Sequence, residues 1–196
     1  MKEIILVGGG GHCNSCIDVI EETGLYKIAG ILDLPEKLNS KIFGYKVIAT
    51  DDDLPQLANQ YDTFFITLGQ IKTPAKRIEI FNKLKELNLN LPTIVSPCAH
   101  VSRHSEIGEG SIVMHYALVN PGAKVGNNCI VNSKALIEHD ATIGQHCHIS
   151  TGAIINGGVC IGEGSFVGSN SVIREGVNVA KNSVIGFGCA IAKDLT

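Results

Sequence analysis

Valine or isoleucine occupies every sixth position of the chain from Val95 to Ile191, through 17 successive positions without interruption. A second position, four residues after each of these, holds mainly alanine, serine or cysteine. Glycine often follows the branched residue directly, as at Gly108, Gly126 and Gly144. A period of six with one branched and one small inward residue is typical of a hexapeptide β-solenoid. The pattern therefore predicts one short strand and one turn in each hexad.

Three hexads make one triangular coil, so the repeat predicts about 5.7 coils and, with strands stacked about 4.8 Å apart, a prism about 27 Å tall. Cys129, Cys147 and Cys189 occupy the small position, which predicts a packing role for these thiols rather than a chemical one. The faces and edges of a narrow prism offer little shelter for a ligand. We therefore expect any binding site to lie between subunits.

Before Val95 the pattern changes to alternating strands and helices. Residues 4–7 predict a buried strand, which is followed by a turn of four glycines and a helix over residues 13–22. Further strands are predicted to end at residue 33 and to cover residues 63–68, with a helix over residues 73–87. This β-α-β order predicts a small parallel sheet. We therefore predict two domains: a Rossmann-like domain over residues 1–92 and the β-solenoid over residues 93–196.

Ligands of a parallel sheet bind at the carboxyl ends of its strands, and Gly8–His12, Asp33 and Gly69 all fall at that edge. Glycines there allow backbone amides to approach a phosphate at the start of a helix. The dinucleotide pattern G-x-G-x-x-G fails, because Cys13 takes the place of the third glycine, so we expect no redox cofactor. Asp33 either binds a ribose or base edge, or caps a turn.

Charge and cysteine content argue against several classes of protein. The net charge of −3 offers no basic field for nucleic acid. No apolar run approaches the ~20 residues of a membrane helix, and the short apolar stretch at the N-terminus predicts a first strand, not a signal peptide. Seven cysteines are an odd number for a disulfide scaffold, and no Cys/His spacing resembles a zinc site. We predict reduced thiols, no metal and a cytoplasmic location.

Seven histidines occur, and most of those in the prism are expected at its surface. His139 stands in the triplet Glu138-His139-Asp140, where a carboxylate would hold the imidazole in one tautomer and make it more basic. One coil is 18 residues, so His139 should stack against Gly157, whose amide could hold a developing oxyanion. A plain surface histidine is the alternative for His139, and a polar corner residue is the alternative for His148.

These residues resemble the sugar acetyltransferases of the bacillosamine-pathway type, which N-acetylate a UDP-linked 4-amino-4,6-dideoxy sugar. Sialic-acid O-acetyltransferases and perosamine N-acetyltransferase are similar. The shared motifs are Val7–His12, Ile31–Asp33, Leu68-Gly69 and the segment 132–157. The resemblance covers nearly the whole chain and implies left-handed coils, a homotrimer with active sites between adjacent prisms, and acetyl-CoA as cosubstrate along the later coils.

The resemblance also implies a role for each candidate residue. His139 would be the general base and Asp140 its acidic neighbour. Asn132, on the substrate side, and His148, on the side of acetyl-CoA, would lie near the reacting groups. Gly157 would donate its amide to the acetyl-CoA carbonyl. The nucleotide-sugar pocket would be lined by Gly10, Gly11, His12, Asp33 and Gly69.

Several functions remain open at this point. Close relatives often carry a second acid where this chain has Leu34, which leaves the nucleotide undetermined. Besides N-acetylation of an amino sugar, the same base would serve O-acetylation of a sialic-acid-like sugar. A nucleotide-sensing scaffold is the non-enzymatic alternative. A metal-dependent hydratase of the carbonic anhydrase type would need histidines that converge between subunits, and its candidates are His115, His139, His146 and His148.

Overall fold

The computed structural model describes all of residues 1–196, and these form two compact units. The first unit comprises Met1–Gly69 and Glu79–Pro92, and the second comprises Gln70–Ile78 and Thr93–Thr196. The segment Gln70–Ile78 therefore packs with residues of the solenoid, although it precedes the repeat in the sequence. None of the helices has the length and apolar character that a membrane span requires.

The elements of the first unit are β1 (Lys2–Val7), α1 (Gly11–Thr23), β2 (Tyr26–Leu32), β3 (Lys41–Ile42), β4 (Tyr45–Ala49), α2 (Leu54–Leu57), β5 (Phe64–Ile66) and α3 (Ala75–Glu86), which extends from the second unit into the first. Its five strands form one sheet in the order β3-β4-β2-β1-β5, parallel except for the antiparallel pair β3-β4. This confirms the predicted small parallel sheet. The region between residues 34 and 62, for which no elements were predicted, adds β3, β4 and α2.

Cys13 and Cys16 have the Cys-x-x-Cys spacing of redox motifs and lie on the first turns of α1. Both side chains are fully buried, and neither is in a disulfide. Burial raises the pKa of the Cys13 thiol to about 11, so that its reactive thiolate form is rare at neutral pH. The pair therefore packs α1 against the sheet instead of exchanging disulfides.

The second unit is a left-handed β-helix with three parallel sheets, and its 17 two-residue strands confirm the predicted 17 hexads. Face 1 consists of β6 (Ile94–Val95), β9 (Ile112–Val113), β12 (Ile130–Val131), β15 (His148–Ile149), β18 (Phe166–Val167) and β21 (Val184–Ile185). Face 2 consists of β7 (His100–Val101), β10 (Leu118–Val119), β13 (Leu136–Ile137), β16 (Ile154–Ile155), β19 (Val172–Ile173) and β22 (Ala190–Ile191). Face 3 consists of β8 (Glu106–Ile107), β11 (Lys124–Val125), β14 (Thr142–Ile143), β17 (Cys160–Ile161) and β20 (Asn178–Val179).

The repeated Val and Ile side chains stack in the prism interior, where those of the middle coils are almost completely buried. The small residues stack beside them, and Cys129 and Cys147 are fully buried there. The burial of the outward strand positions instead differs from one face to another. Face 1 carries the largely buried Ile112, Ile130 and His148 on its outer side.

Four-residue corners join the faces, and the third residue of most corners has a positive φ. Asn128 (φ +53°), Asp140 (+60°) and Asn170 (+55°) are examples, and glycine holds the same position in other corners. Because only glycine, asparagine and aspartate adopt this left-handed conformation readily, the corners explain much of the Gly, Asn and Asp content of the repeat.

Candidate functional site

A histidine–carboxylate pair stands on the edge between faces 2 and 3. Nδ1 of His139 lies 2.9 Å from Oδ2 of Asp140, and both side chains are largely exposed. Because a carboxylate only accepts, Nδ1 carries the hydrogen and Nε2 carries the lone pair. The exposed nitrogen of the imidazole is therefore the basic one.

The corner conformation produces this pair. Asp140 is the third residue of its corner, and its left-handed backbone turns the carboxylate back towards the preceding residue. The corner is tied to the previous coil by the Asp140 N–H, which donates to the carbonyl of Pro121 over 3.2 Å. Sequence reasoning found the pair, but its geometry comes from the turn.

Two glycines, one coil away on either side, make room for the pair. A Cβ on Gly157 would lie 2.7 Å from Nε2 of His139, and a Cβ on Gly122 would lie 2.3 Å from Oδ1 of Asp140. Gly157 was predicted to stack on His139. Gly122 was not predicted, although the same 18-residue step, taken backwards from Asp140, finds it.

The amide of Gly157 is available to a ligand. Its carbonyl accepts a hydrogen bond from the N–H of Gly176 over 3.0 Å, whereas its own N–H has no acceptor within the chain. Gly157 is half-buried beside the imidazole. A base and an unsatisfied N–H donor thus lie next to each other on this edge.

Glu138 and Asn120 complete the surroundings of His139. The sequence analysis named Glu138 but did not predict its hydrogen bond with Asn120. Oε2 of Glu138 accepts from the Asn120 side chain over 2.8 Å and from the backbone N–H of His139 over 3.3 Å. The hydrogen bond to Asp140, with the charges of Asp140 and Glu138, raises the pKa of His139 above its ordinary value.

His148 and Asn132 lie together, but elsewhere on the prism. Nε2 of His148 is 3.1 Å from the amide nitrogen of Asn132, and its Nδ1 is 2.6 Å from the carbonyl oxygen of Gln70. His148 is 7% exposed and meets the ring of Phe166 edge-on at 5.2 Å. Burial lowers its pKa to about 4.

These positions bear on two statements about the histidines. His148 is a strand residue of β15, so the corner-residue alternative is wrong. His146 and His148 are buried, but His100, His104 and His139 are exposed and His115 is half-buried, so most histidines of the prism lie at the surface as expected. His148 lies on face 1, and the edge between faces 2 and 3 is opposite that face. One chain therefore does not bring His148 and His139 together.

Ring nitrogens of two further prism histidines are engaged too. Nδ1 of His115 lies 2.7 Å from Oγ of Ser96, and Nδ1 of His146 lies 3.0 Å from Nδ2 of Asn128. Each of the four histidines considered for a metal thus has its own hydrogen-bond partner.

In the first unit, the glycine turn forms the predicted edge of the sheet. Helix α1 begins at Gly11, and its cap residue Gly10 offers no side chain to the first amides. A Cβ on Gly10 or Gly11 would meet nothing within 4 Å, so both border open space. His12 also lies at this edge, because a Cβ on Gly69 would stand 3.4 Å from the Cβ of His12.

Asp33 reaches the same turn. A Cβ on Gly9 would contact Oδ2 of Asp33, so this carboxylate lies directly against the glycine. Oδ1 accepts from the backbone N–H of Leu34 over 2.9 Å, and Oδ2 pairs with Nζ of Lys37 at 3.1 Å. The carboxylate therefore caps its turn and holds the ammonium group of Lys37 beside the glycines. The i,i+4 spacing to Lys37 is the signal that could have suggested this ion pair.

Both units match models of known protein families. Residues 3–84 match the family model of the PglD N-terminal domain, and residues 104–139 and 140–175 match that of the bacterial transferase hexapeptide (six repeats). The comparison with curated protein sequences gives no match.

Solved structures match along the whole chain. The acetyltransferase domain of PglB from Neisseria gonorrhoeae FA1090 is 28% identical with a TM-score of 0.92, and the match covers 100% of this chain and 94% of that one. The same domain in complex with acetyl coenzyme A is 29% identical with a TM-score of 0.83 and coverages of 97% and 92%. PerB from Caulobacter crescentus, in complex with CoA and GDP-perosamine, is 28% identical with a TM-score of 0.92 and coverages of 100% and 91%.

The order of the two matched domains and the full-length structural agreement confirm the resemblance drawn from the sequence motifs. The chain thus carries a PglD-type N-terminal domain followed by bacterial transferase hexapeptide repeats, and along its whole length it is similar to solved sugar acetyltransferases.

Proposed function

We propose that this protein transfers the acetyl group of acetyl-CoA to the 4-amino group of a nucleotide-linked 4-amino-4,6-dideoxy sugar, with His139 as the general base. The observation that carries the proposal is the His139–Asp140 pair, whose basic Nε2 stands exposed beside the free amide of Gly157. Two similar structures support the choice of substrates, since one was solved with acetyl coenzyme A and another with CoA and GDP-perosamine.

The reaction follows from this geometry. The sugar amine attacks the thioester carbonyl, and Nε2 of His139 takes the proton that the nitrogen loses. Asp140 holds the imidazole in the required tautomer and stabilises the imidazolium. The Gly157 N–H donates to the carbonyl oxygen as it becomes negative. As the carbon–sulfur bond breaks, the imidazolium returns the proton to the sulfur of CoA.

The first unit would bind the nucleotide sugar. The open amides at Gly10 and Gly11, at the start of α1, suit the diphosphate, because a helix N-terminus attracts anions. His12 and Gly69 border the same edge and would contact the sugar. Asp33, held by Lys37, would contact the nucleoside.

A homotrimer would complete the site. Asn132 and His148 are assigned near the reacting groups by resemblance, yet His148 lies on the face opposite the edge that carries His139. A site that uses both pairs must therefore take one from a neighbouring chain. We propose that His139 and Asp140 of one chain act with Asn132 of the next, on acetyl-CoA bound between them.

The substrate is tested by CoA release. The protein is incubated with acetyl-CoA and a panel of UDP- and GDP-linked 4-amino-4,6-dideoxy sugars, with free sialic acids as the alternative acceptors. We expect turnover with a nucleotide-linked amino sugar and a product acetylated on nitrogen. Turnover with free sialic acid alone would replace the proposal by O-acetylation. Acetyl-CoA binding without turnover on any acceptor would overturn the proposed acceptor class, and no binding would favour the scaffold alternative.

The pH dependence of kcat/KM should reveal how Asp140 changes the pKa of His139. His139 is active only when unprotonated, so the rate falls as pH drops through its pKa, which Asp140 raises above about 6.5. In Asp140→Asn the acid limb should move to lower pH, and the plateau rate should fall because the tautomer is no longer fixed. The sugar amine titrates identically in both proteins, so the difference between the profiles reports on His139. Identical acid limbs would contradict the assigned pair.

A further inference from the structure

A chain of hydrogen bonds with a fixed direction runs through His148. It begins at the carbonyl oxygen of Gln70, 2.6 Å from Nδ1 of His148, and continues from Nε2 to the Asn132 amide nitrogen, 3.1 Å away. It ends where the backbone N–H of Ser133 donates to Oδ1 of Asn132 over 2.7 Å. Both ends are backbone groups: a carbonyl that can only accept and an N–H that can only donate.

These two ends determine which atoms between them carry the hydrogens. Because Gln70 offers an acceptor, Nδ1 of His148 must carry the hydrogen. Because Ser133 occupies Oδ1 of Asn132, the amide group facing His148 must be its NH₂, and Nε2 must accept. A protonated imidazole would place two donors against each other at Asn132. Burial reinforces this arrangement by lowering the pKa of His148 to about 4.

We propose that Gln70 is a positioning residue of the acyl-transfer site, which fixes the tautomer of His148 and, through it, the orientation of the Asn132 amide towards the substrates. The inference rests on the proposed function, because that function gives the ordered amide of Asn132 a purpose. One hydrogen of the Asn132 NH₂ group is used by His148, and the other has no acceptor within the chain. Asn132 is only half-buried, so that second hydrogen can donate to a bound substrate.

Gln70 is held firmly enough to act in this way. Its own side chain is 3% exposed and donates from Nε2 to the carbonyl of Gly164 over 3.3 Å. Its Oε1 is buried without a hydrogen-bond partner in the chain. A second anchor follows on the same segment, where Arg77 donates to the backbone and side-chain oxygens of Asn128 over 3.0 and 2.6 Å. Two attachments thus hold the carbonyl of Gln70 against His148.

The proposal changes the part assigned to His148. Both ring nitrogens are committed to Gln70 and Asn132, so the imidazole acts on the reaction through Asn132 rather than by direct contact with acetyl-CoA. It is also not a proton carrier, because it has no free lone pair at neutral pH.

The tautomer is tested without any substrate. In protein with ¹⁵N-labelled imidazole groups, the His148 signals are identified by their loss in His148→Asn. We expect Nδ1 protonated and Nε2 unprotonated from pH 5.5 to 8. The opposite tautomer, or titration near pH 6.5, would overturn the proposal. Because this readout needs neither acetyl-CoA nor a sugar, it stands apart from the substrate panel, whose failure would concern the proposed function alone.

Kinetics of three variants test the effect on the site. His148→Asn keeps a donor near the position of Nδ1 but cannot reach Asn132. We expect its kcat to fall about 100-fold, the effect of misplacing one group in a site, with the KM for acetyl-CoA within about threefold. Asn132→Ala should cause a similar loss, and the double variant should lose no more than either, since both remove one oriented amide. Additive losses would overturn the shared role.

Gln70 itself is tested against its neighbour. Gln70→Ala removes the bond to Gly164 and should lower kcat about tenfold, with the acid limb of the pH profile unchanged. Gln70→Asn, which keeps a shorter amide, should recover part of that rate. Ile71→Ala changes an exposed side chain on the same segment and should keep the rate of the unmodified protein. Equal rates for Gln70→Ala and Ile71→Ala would contradict the positioning role.

Discussion

Replacing His139 with alanine is expected to lower kcat by about 10²–10⁴-fold, the usual contribution of a general base. The proposed trimeric state and the melting temperature should stay unchanged, because the side chain is 64% exposed and bonds only to its neighbour Asp140. The KM for acetyl-CoA should change little, since the base acts on the attacking amine. The measurement is steady-state CoA release at saturating substrates, with circular dichroism to follow the fold.

Two control variants sharpen this experiment. His139→Asn places an amide nitrogen near the position of Nδ1 and can keep the bond to Asp140, but it lacks Nε2. It should be as slow as His139→Ala if Nε2 is the base. His100→Ala removes another exposed histidine, on β7 of face 2, and should keep the full rate. A near-normal rate in His139→Ala would show that the proton leaves by another route.

The geometry around His139 was largely predictable, because a repeat of fixed period turns sequence distance into spatial contact. A step of 18 residues is one coil, so Gly157 had to lie against His139, as the structure shows. Gly122 beneath Asp140 follows from the same arithmetic. The left-handed backbone of Asp140 is likewise a property of its place in the corner, shared with Asn128 and Asn170.

The periodicity could not predict which outer surfaces of the prism are covered. An outward position such as His148 has the same sequence environment whether it faces solvent or another segment. Its burial depends on Gln70, which lies 78 residues earlier and carries no local signal of this contact. Arg77 is similar, since an arginine in a helix pattern predicts an exposed side chain, yet it is 2% exposed.

The first unit shows the same division between local and distant information. The turn Gly8–Gly11 and helix α1 followed from glycines and apolar spacing, and the structure confirms them. Strand β4 was missed because Tyr45–Ala49 shows no clear alternation of polar and apolar residues: Val47, Ile48 and Ala49 are consecutive apolar residues, of which Ile48 is only half-buried. The pairing of Asp33 with Lys37 had the i,i+4 spacing as its sequence signal, but no periodic pattern marks the 3-10 turn at Pro35–Lys37 that brings the two side chains together.

Asn128→Ala should cause the largest loss of stability among single corner substitutions, roughly 3–5 kcal/mol. Asn128 is fully buried, and its side chain accepts from Arg77 over 2.6 Å, donates to the Arg77 carbonyl over 3.3 Å and contacts His146 at 3.0 Å. Alanine removes these bonds, deprives the buried guanidinium of its side-chain acceptor on residue 128, and must adopt the same positive φ.

Asn170→Ala serves to separate the contribution of the Asn128 hydrogen bonds from the free-energy cost of placing alanine in a left-handed conformation. Asn170 is the third residue of its own corner, with φ +55° against +53° for Asn128, but it is exposed. Its substitution should therefore cost only the left-handed conformation, about 1–2 kcal/mol. The free energies of unfolding are compared by urea denaturation at one protein concentration. Equal losses in the two variants would mean that the bonds to Arg77 and His146 contribute nothing, whereas the expected gap of about 2–3 kcal/mol would measure how strongly the segment Gln70–Ile78 is held.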